Sequence, residues 1–122
     1  MGSKILVLNG PPRAGIEELV HELARAYNCE ILSAYAATLS RAPRIIVPDA
    51  GFTAELNLLV DTYGADNLLM VHIIRQGCTF HECSRQYVDH PAVDAITMSY
   101  EKNLFDIGFL AYLFFELQVK QE

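Results

Sequence analysis

The sequence predicts an α/β domain, three layers deep, built on a mostly parallel sheet. Short apolar runs at residues 5–8, 44–47 and 68–74 show little polar alternation and end in loop-forming residues, as strands covered on both faces do. Between them lie segments whose apolar residues recur at helical spacing, so strand and helix alternate along the chain. The 122 residues are 52% hydrophobic and 20% charged, which is enough for one core without disulfide staples. Such an apolar excess also fits buried parallel strands, an oligomer interface, or both.

Taken in order, Lys4-Ile-Leu-Val-Leu8 predicts a buried strand, closed by Asn9-Gly10-Pro11-Pro12. From Ile16 the period changes. Ile16, Leu19, Val20, Leu23, Ala26 and Tyr27 fall on one helical face, with Glu17, Glu18, His21, Glu22 and Arg25 on the other. Residues 29–33 read as a short strand and 34–40 as a small helix, with Pro43 ending it. Arg44-Ile-Ile-Val47 is a second buried strand, stopped by Pro48-Asp49-Ala50-Gly51. Thr53 is the expected cap of the next helix, Glu55 lies in its first turn, and Leu56, Leu59, Val60 and Tyr63 form its inner stripe. Gly64 stands where a left-handed C-cap belongs. A third strand at 68–74, a polar loop at 75–85, a last strand at 93–97 and a long helix at 101–119 complete the chain. Without repeats, low-complexity segments or linkers, residues 1–122 read as a single domain.

A net charge of −6 with only nine basic residues excludes a nucleic-acid-binding surface, though not a local arginine cluster around one phosphate. Three cysteines without paired spacing fit a reducing compartment. No run of about 18 apolar residues occurs, and residues 5–8 are too short for a signal-peptide core. The expected location is the cytoplasm, with no membrane contact.

Residues 10–17, Gly-Pro-Pro-Arg-Ala-Gly-Ile-Glu, have the frame of the phosphate-binding loop GxxxxGK[ST] between a strand and a helix. In a working loop, backbone N–H groups wrap the phosphates, the lysine neutralises them and the hydroxyl holds magnesium. Gly10 and Gly15 keep the spacing, but Ile16 stands in the lysine's place and Glu17 in that of the hydroxyl residue. An isoleucine cannot donate to a phosphate, and a carboxylate repels one. Phosphoryl transfer is therefore not expected. Arg13, inside the loop, reads first as an exposed arginine and second as a replacement for the lost charge. The glycines alone are also compatible with a plain strand–turn–helix junction.

Three further segments follow in order. Val47-Pro-Asp-Ala-Gly-Phe-Thr-Ala-Glu55 leaves a strand and opens a helix, Arg75-Gln-Gly-Cys-Thr-Phe80 leaves the next strand, and Ser84-Arg-Gln-Tyr-Val88 comes soon after. With the loop at 10–17 this series resembles the phage-type deoxynucleoside monophosphate kinases and related P-loop kinase-like phage proteins. The resemblance spans residues 4–97 apart from a shortened region at 29–44. It implies a P-loop kinase-like domain, with Asp49 near magnesium or substrate and Arg75 and Arg85 facing phosphates, Arg85 from a lid. Read without the resemblance, these are a turn aspartate and two surface or ion-paired arginines. The departures are the missing lysine and hydroxyl residue, Cys83 where the family has an aspartate, and a monophosphate-binding region cut from several dozen residues to about twenty.

Cys78, His81, Cys83 and His90 make a soft-ligand inventory, but their spacing is not that of paired zinc knuckles, and a metal-free loop is the expectation. A cysteine–histidine nucleophile pair lacks a third orienting group. No metal or cofactor is called for. The terminal helix carries apolar residues around nearly its whole circumference, from Leu104 to Val119. Phe105, Phe109, Tyr112, Phe114 and Phe115 are therefore candidates for an interface with a second copy or a partner, against the alternative of burial between sheet and helices. The joint expectation is a catalytically inactive kinase-like phage accessory protein that binds a host or phage protein, for instance to inhibit a host enzyme or defence system. A homo-oligomer, a dimer first, is expected beside it. A nucleotide-binding or sequestering module and a residual monophosphate kinase are the alternatives.

Overall fold

Residues 5–8 lie fully buried, as strand residues without polar alternation must, and they form the centre of a five-stranded sheet. The computed structural model describes residues 3–12, 14–48, 50–80, 86–99, 108, 111–112 and 114–115. Its strands are β1 (Lys4–Asn9), β2 (Glu30–Ile31), β3 (Arg44–Val47), β4 (Leu68–Ile74) and β5 (Asp94–Ser99), ordered β2-β3-β1-β4-β5 across the sheet. Every pairing is parallel. β1 runs in register with β3 from Lys4 opposite Arg44, and with β4 as far as Asn9 opposite His72.

The helices divide between two faces. α1 (Ile16–Tyr27) buries Leu19, Val20 and Leu23 against Leu6 and Leu8 of β1, Ile46 of β3 and Val71 and Ile73 of β4. α2 (Ala34–Ala37) and α3 (Thr53–Tyr63) cover the opposite face, where Ala34, Ala37, Leu56 and Leu59 meet Ile5, Val7, Ile45, Val47 and Met70. Alternate residues of the central strands thus feed two cores, which is the expected three-layer arrangement. Each large aliphatic so buried contributes roughly 1.5–3 kcal/mol. Truncation of Leu19 or Leu56 to alanine is expected to cost about 2–5 kcal/mol.

Local signals decide the ends. Gly15 takes φ 86°, ψ 16° as N-cap of α1, which turns the chain sharply into the helix without a side-chain cap. At the other end Asn28 is left-handed, and the Arg44 guanidinium donates to the Tyr27 carbonyl at 2.8 Å. Thr53 does not cap α3. Phe52 holds that position, and the buried Glu55 supplies the bonds, accepting from the N–H groups of Gly51 (3.1 Å) and Phe52 (3.2 Å). This is half of a capping box, since phenylalanine cannot reciprocate. Gly64 has the expected positive φ (86°), but its ψ of 144° is extended rather than left-handed helical. The strand expected at 93–97 begins one residue later, because Val93 is turned into the core as a turn residue.

Most of the expected terminal helix, with Phe105 and Phe109, lies outside the described residues. Gly108, Ala111 and Tyr112 are helical, while Phe114 and Phe115 are in a wider, π-type turn. Phe114 and Phe115 are not surface residues: they are 2% and 0% exposed and pack in the α1-side core. As interface candidates they are corrected. The Phe115 ring stands 6.1 Å from that of Tyr27, whose hydroxyl donates to Gly108 at 2.9 Å, so this segment closes the layer beside α1. Tyr112 is 41% exposed. Among the described residues, no helix is long and apolar enough to cross a membrane.

Candidate functional site

Neighbouring strands β1 and β3 send their following helices to opposite faces of the sheet, so a crevice opens between their carboxyl ends, where α/β sheets bind ligands. On the α1 side lies an open cleft of about 1100 Å³. Gly10, Gly15, Ile16, Glu17, Arg75 and Cys78 are among its lining residues. Of the sequence-predicted site residues, the fold therefore brings Gly10, Gly15 and Arg75 to one cleft. Arg13, Asp49 and Arg85 lie outside the described residues.

The strand–turn–helix frame keeps Gly10 and Gly15 at the cleft, but the chemistry of a phosphate loop is depleted in three ways. First, a Cβ added at Gly10 would stand 2.7 Å from Cδ1 of Ile16 and 3.0 Å from Ile73, so the isoleucine in the lysine's place lies folded over Gly10. It packs against the α1-side core rather than reaching outward. Second, Pro11 and Pro12 have no N–H, and the N–H of Ala14 is committed to the Pro11 carbonyl at 3.3 Å. Third, the exposed Glu17 and Glu18 stand in the first turn of α1, where they complement the positive end of the helix dipole themselves. Arg75 is the opposing feature. Among the described residues its partly exposed guanidinium forms no ion pair or hydrogen bond, and it lines the same cleft.

On the α3 side the crevice is filled by residues 86–89. Asn9, 1% exposed, donates from Nδ2 to the Gln86 carbonyl (3.1 Å) and accepts at Oδ1 from the Val88 N–H (2.7 Å). Its cross-strand neighbour His72 places Nε2 2.7 Å from the Val88 carbonyl and 3.3 Å from a carboxylate oxygen of Asp89. A carbonyl only accepts, so Nε2 carries the proton. Tyr87 donates to the Ile73 carbonyl at 2.7 Å, and its ring meets those of His72 and Phe80 edge-on. Burial raises the Tyr87 phenol above its ordinary value, and the nearby Cys78 adds to the rise. Gln86 N–H closes the set on the Gly51 carbonyl at 3.1 Å.

No protein-family model matches the sequence, and no curated protein matches it. Solved structures do. A sugar kinase from Janibacter sp. HTCC2649 is similar with a TM-score of 0.65 at 12% identity, over 92% of this chain and 94% of that one. A gluconokinase from Sinorhizobium meliloti 1021 is similar with a TM-score of 0.61 at 13% identity, over 98% of this chain and 94% of that one. The chain has a P-loop kinase-like fold. At these identities the likeness is one of fold. It bears out the α/β, mostly parallel, kinase-like architecture expected from the sequence.

Within this kinase-like fold, sequence reasoning missed the pair Asn9 and His72. Both were visible as polar residues, one ending and one interrupting an apolar strand, but nothing in the sequence shows that they are register neighbours. The two prolines of the loop were also visible as missing donors. Among the described residues, no group of three or more His, Cys, Asp or Glu side chains is arranged to hold a metal. His81 and Cys83 lie outside them.

Proposed function

We propose that this kinase-like chain does not transfer phosphoryl groups and acts by binding another protein, in the phage setting that its resemblance implies. The observation that carries the reading is Ile16, folded over Gly10 in the position of the phosphate-binding lysine, with Glu17 next to it. A cation able to follow a moving phosphate is replaced by a side chain that contributes to the core. Partner binding is supported by the shortened region. There β2 and α2 span only two and four residues, and Ile31, Tyr35 and Leu39 are exposed by 36%, 61% and 86%. Exposed apolar side chains grouped along nine residues of chain favour burial against a partner.

The test pairs two measurements. Purified protein with magnesium ATP and each deoxynucleoside monophosphate is expected to release no ADP above the uncatalysed rate. A partner captured by the wild-type chain is expected to be lost from Leu39→Glu and retained by Ile16→Lys. Monophosphate-dependent ATP turnover overturns the reading, whatever is captured.

Arg75 favours a second reading, a nucleotide-binding or sequestering module, because a guanidinium lining the loop's own cleft is suited to a phosphate. Calorimetry with nucleoside triphosphates separates the two. Heat that disappears in Arg75→Ala supports nucleotide binding, and its absence at millimolar ligand removes it.

A further inference from the structure

The residues that carry this inference are all on the α3 side of the crevice. Asn9 is a nearly inaccessible side chain at the end of the central strand, and both of its polar groups are spent on the main chain of residues 86 and 88. In effect its amide acts as one more peptide unit of β1 and pairs the incoming segment as a strand would be paired. His72, beside it in register, holds the Val88 carbonyl, and Tyr87 and Gln86 tie the same segment to β4 and to Gly51, just ahead of α3. Val88 itself is 3% exposed and belongs to the core under α3. Five hydrogen bonds and one buried side chain thus anchor residues 86–88 across the carboxyl ends of β1 and β4, and Asp89 lies 3.3 Å from His72.

We propose that residues 86–89 form an intramolecular strap, latched by Asn9 and His72, that occupies the α3 side of the crevice and denies it to an acceptor substrate. The polar groups by which that end of the sheet would recognise a ligand are instead satisfied within the chain. Asn9 is a positioning residue here, since its two side-chain hydrogen bonds set the strap's register. The inference goes beyond the proposed function: the strap can be open or closed whether or not the loop transfers phosphate.

Amide hydrogen exchange on the full chain tests it. In the wild type the Val88 N–H is expected to be protected far more than that of exposed Gly77. Asn9→Ala is expected to accelerate Val88 exchange by about tenfold or more, with a smaller change at Val7. If Asn9→Ala does not fold, Tyr87→Phe serves. It removes only the hydroxyl that ties the strap to β4, and is expected to accelerate exchange at Val88 several-fold with no change at Val7. Thymidine monophosphate added at millimolar concentration is expected to leave the wild-type signals of Asn9, Gly51 and Val88 unshifted. Two results overturn the proposal: a wild-type Val88 amide that exchanges like Gly77, or monophosphate-induced shifts at Asn9 and Gly51 while Val88 stays protected.

Discussion

The two sides of the crevice present opposite situations at the same end of the same sheet. On the α1 side Gly10 and Gly15 keep their places and the cleft is open, yet two N–H groups are lost to proline, a third is committed to Pro11, and the lysine is replaced by Ile16. On the α3 side the polar groups are intact, and the chain itself consumes them through Asn9, His72 and the strap at 86–89. One side is accessible but depleted of phosphate-binding groups, and the other has polar groups without access. The difference shows that preserving a backbone frame and preserving a functional site are separate constraints. Glycine geometry and helix packing hold the loop in place, while lysine, hydroxyl and free N–H groups are needed only if a phosphate is bound.

Four measurements test this contrast. The largest effect is expected at the strap, where Asn9→Ala leaves a buried donor and a buried acceptor unsatisfied. At about 1–3 kcal/mol for each, urea denaturation is expected to show a loss of roughly 2–6 kcal/mol. A loss under half a kcal/mol would mean that water satisfies both groups and that the α3 side is open after all. Next comes the loop. Gly10→Ala forces a methyl group into Ile16 and Ile73 and is expected to cost about 1–3 kcal/mol. If Ile16 swings out to relieve it, the variant will instead be near neutral, and the isoleucine is not committed to the core.

A smaller change is expected from the acidic turn. Glu17→Gln and Glu18→Gln each remove a charge that complements the α1 dipole, and each is expected to lower stability by about 0.3–1 kcal/mol, less at high salt. If either is instead stabilising, the first turn carries like-charge repulsion that outweighs the dipole, as in a site built for an anion. The smallest effect is alkaline. Burial raises the phenols of Tyr87 and Tyr63 above the ordinary 10.0, with the nearby Cys78 and Glu30 respectively as the lesser causes. The folded chain then holds protons that the unfolded chain has released. Their contribution is complete below about pH 10 and is lost as pH rises through the folded values. Denaturation midpoints above pH 10 are expected to fall less steeply in Tyr87→Phe than in the wild type. An unchanged slope would place the strap tyrosine in a solvent-like setting.

Much of the fold was legible along the chain because it depends on local pattern. The runs at 44–47 and 68–74 became β3 and β4 at those same residues, and the helix beginning at Ile16 was marked by its change of period. The loop frame was equally visible, since glycine spacing is a one-dimensional property. Phe114 and Phe115 were misread because an apolar helix looks the same whether sheet and neighbouring helix cover it or a partner does. Thr53 was misread as a cap because the carboxylate of Glu55, two residues on, can do the work from inside the helix.

From the sequence alone came the strand–loop–helix alternation and the replacement of the loop's lysine and hydroxyl residue by Ile16 and Glu17. Each follows from residue type and short-range spacing. Only the tertiary structure decided that Ile16 turns inward over Gly10, that the paired aromatics at 114 and 115 belong to the core, and that Asn9 meets residues 77 and 79 positions further along. The physical reason is register. Asn9 and His72 act together because parallel pairing of β1 with β4 sets them side by side on one face. Contacts of that range are fixed by how the sheet assembles, not by any local propensity of the residues that make them.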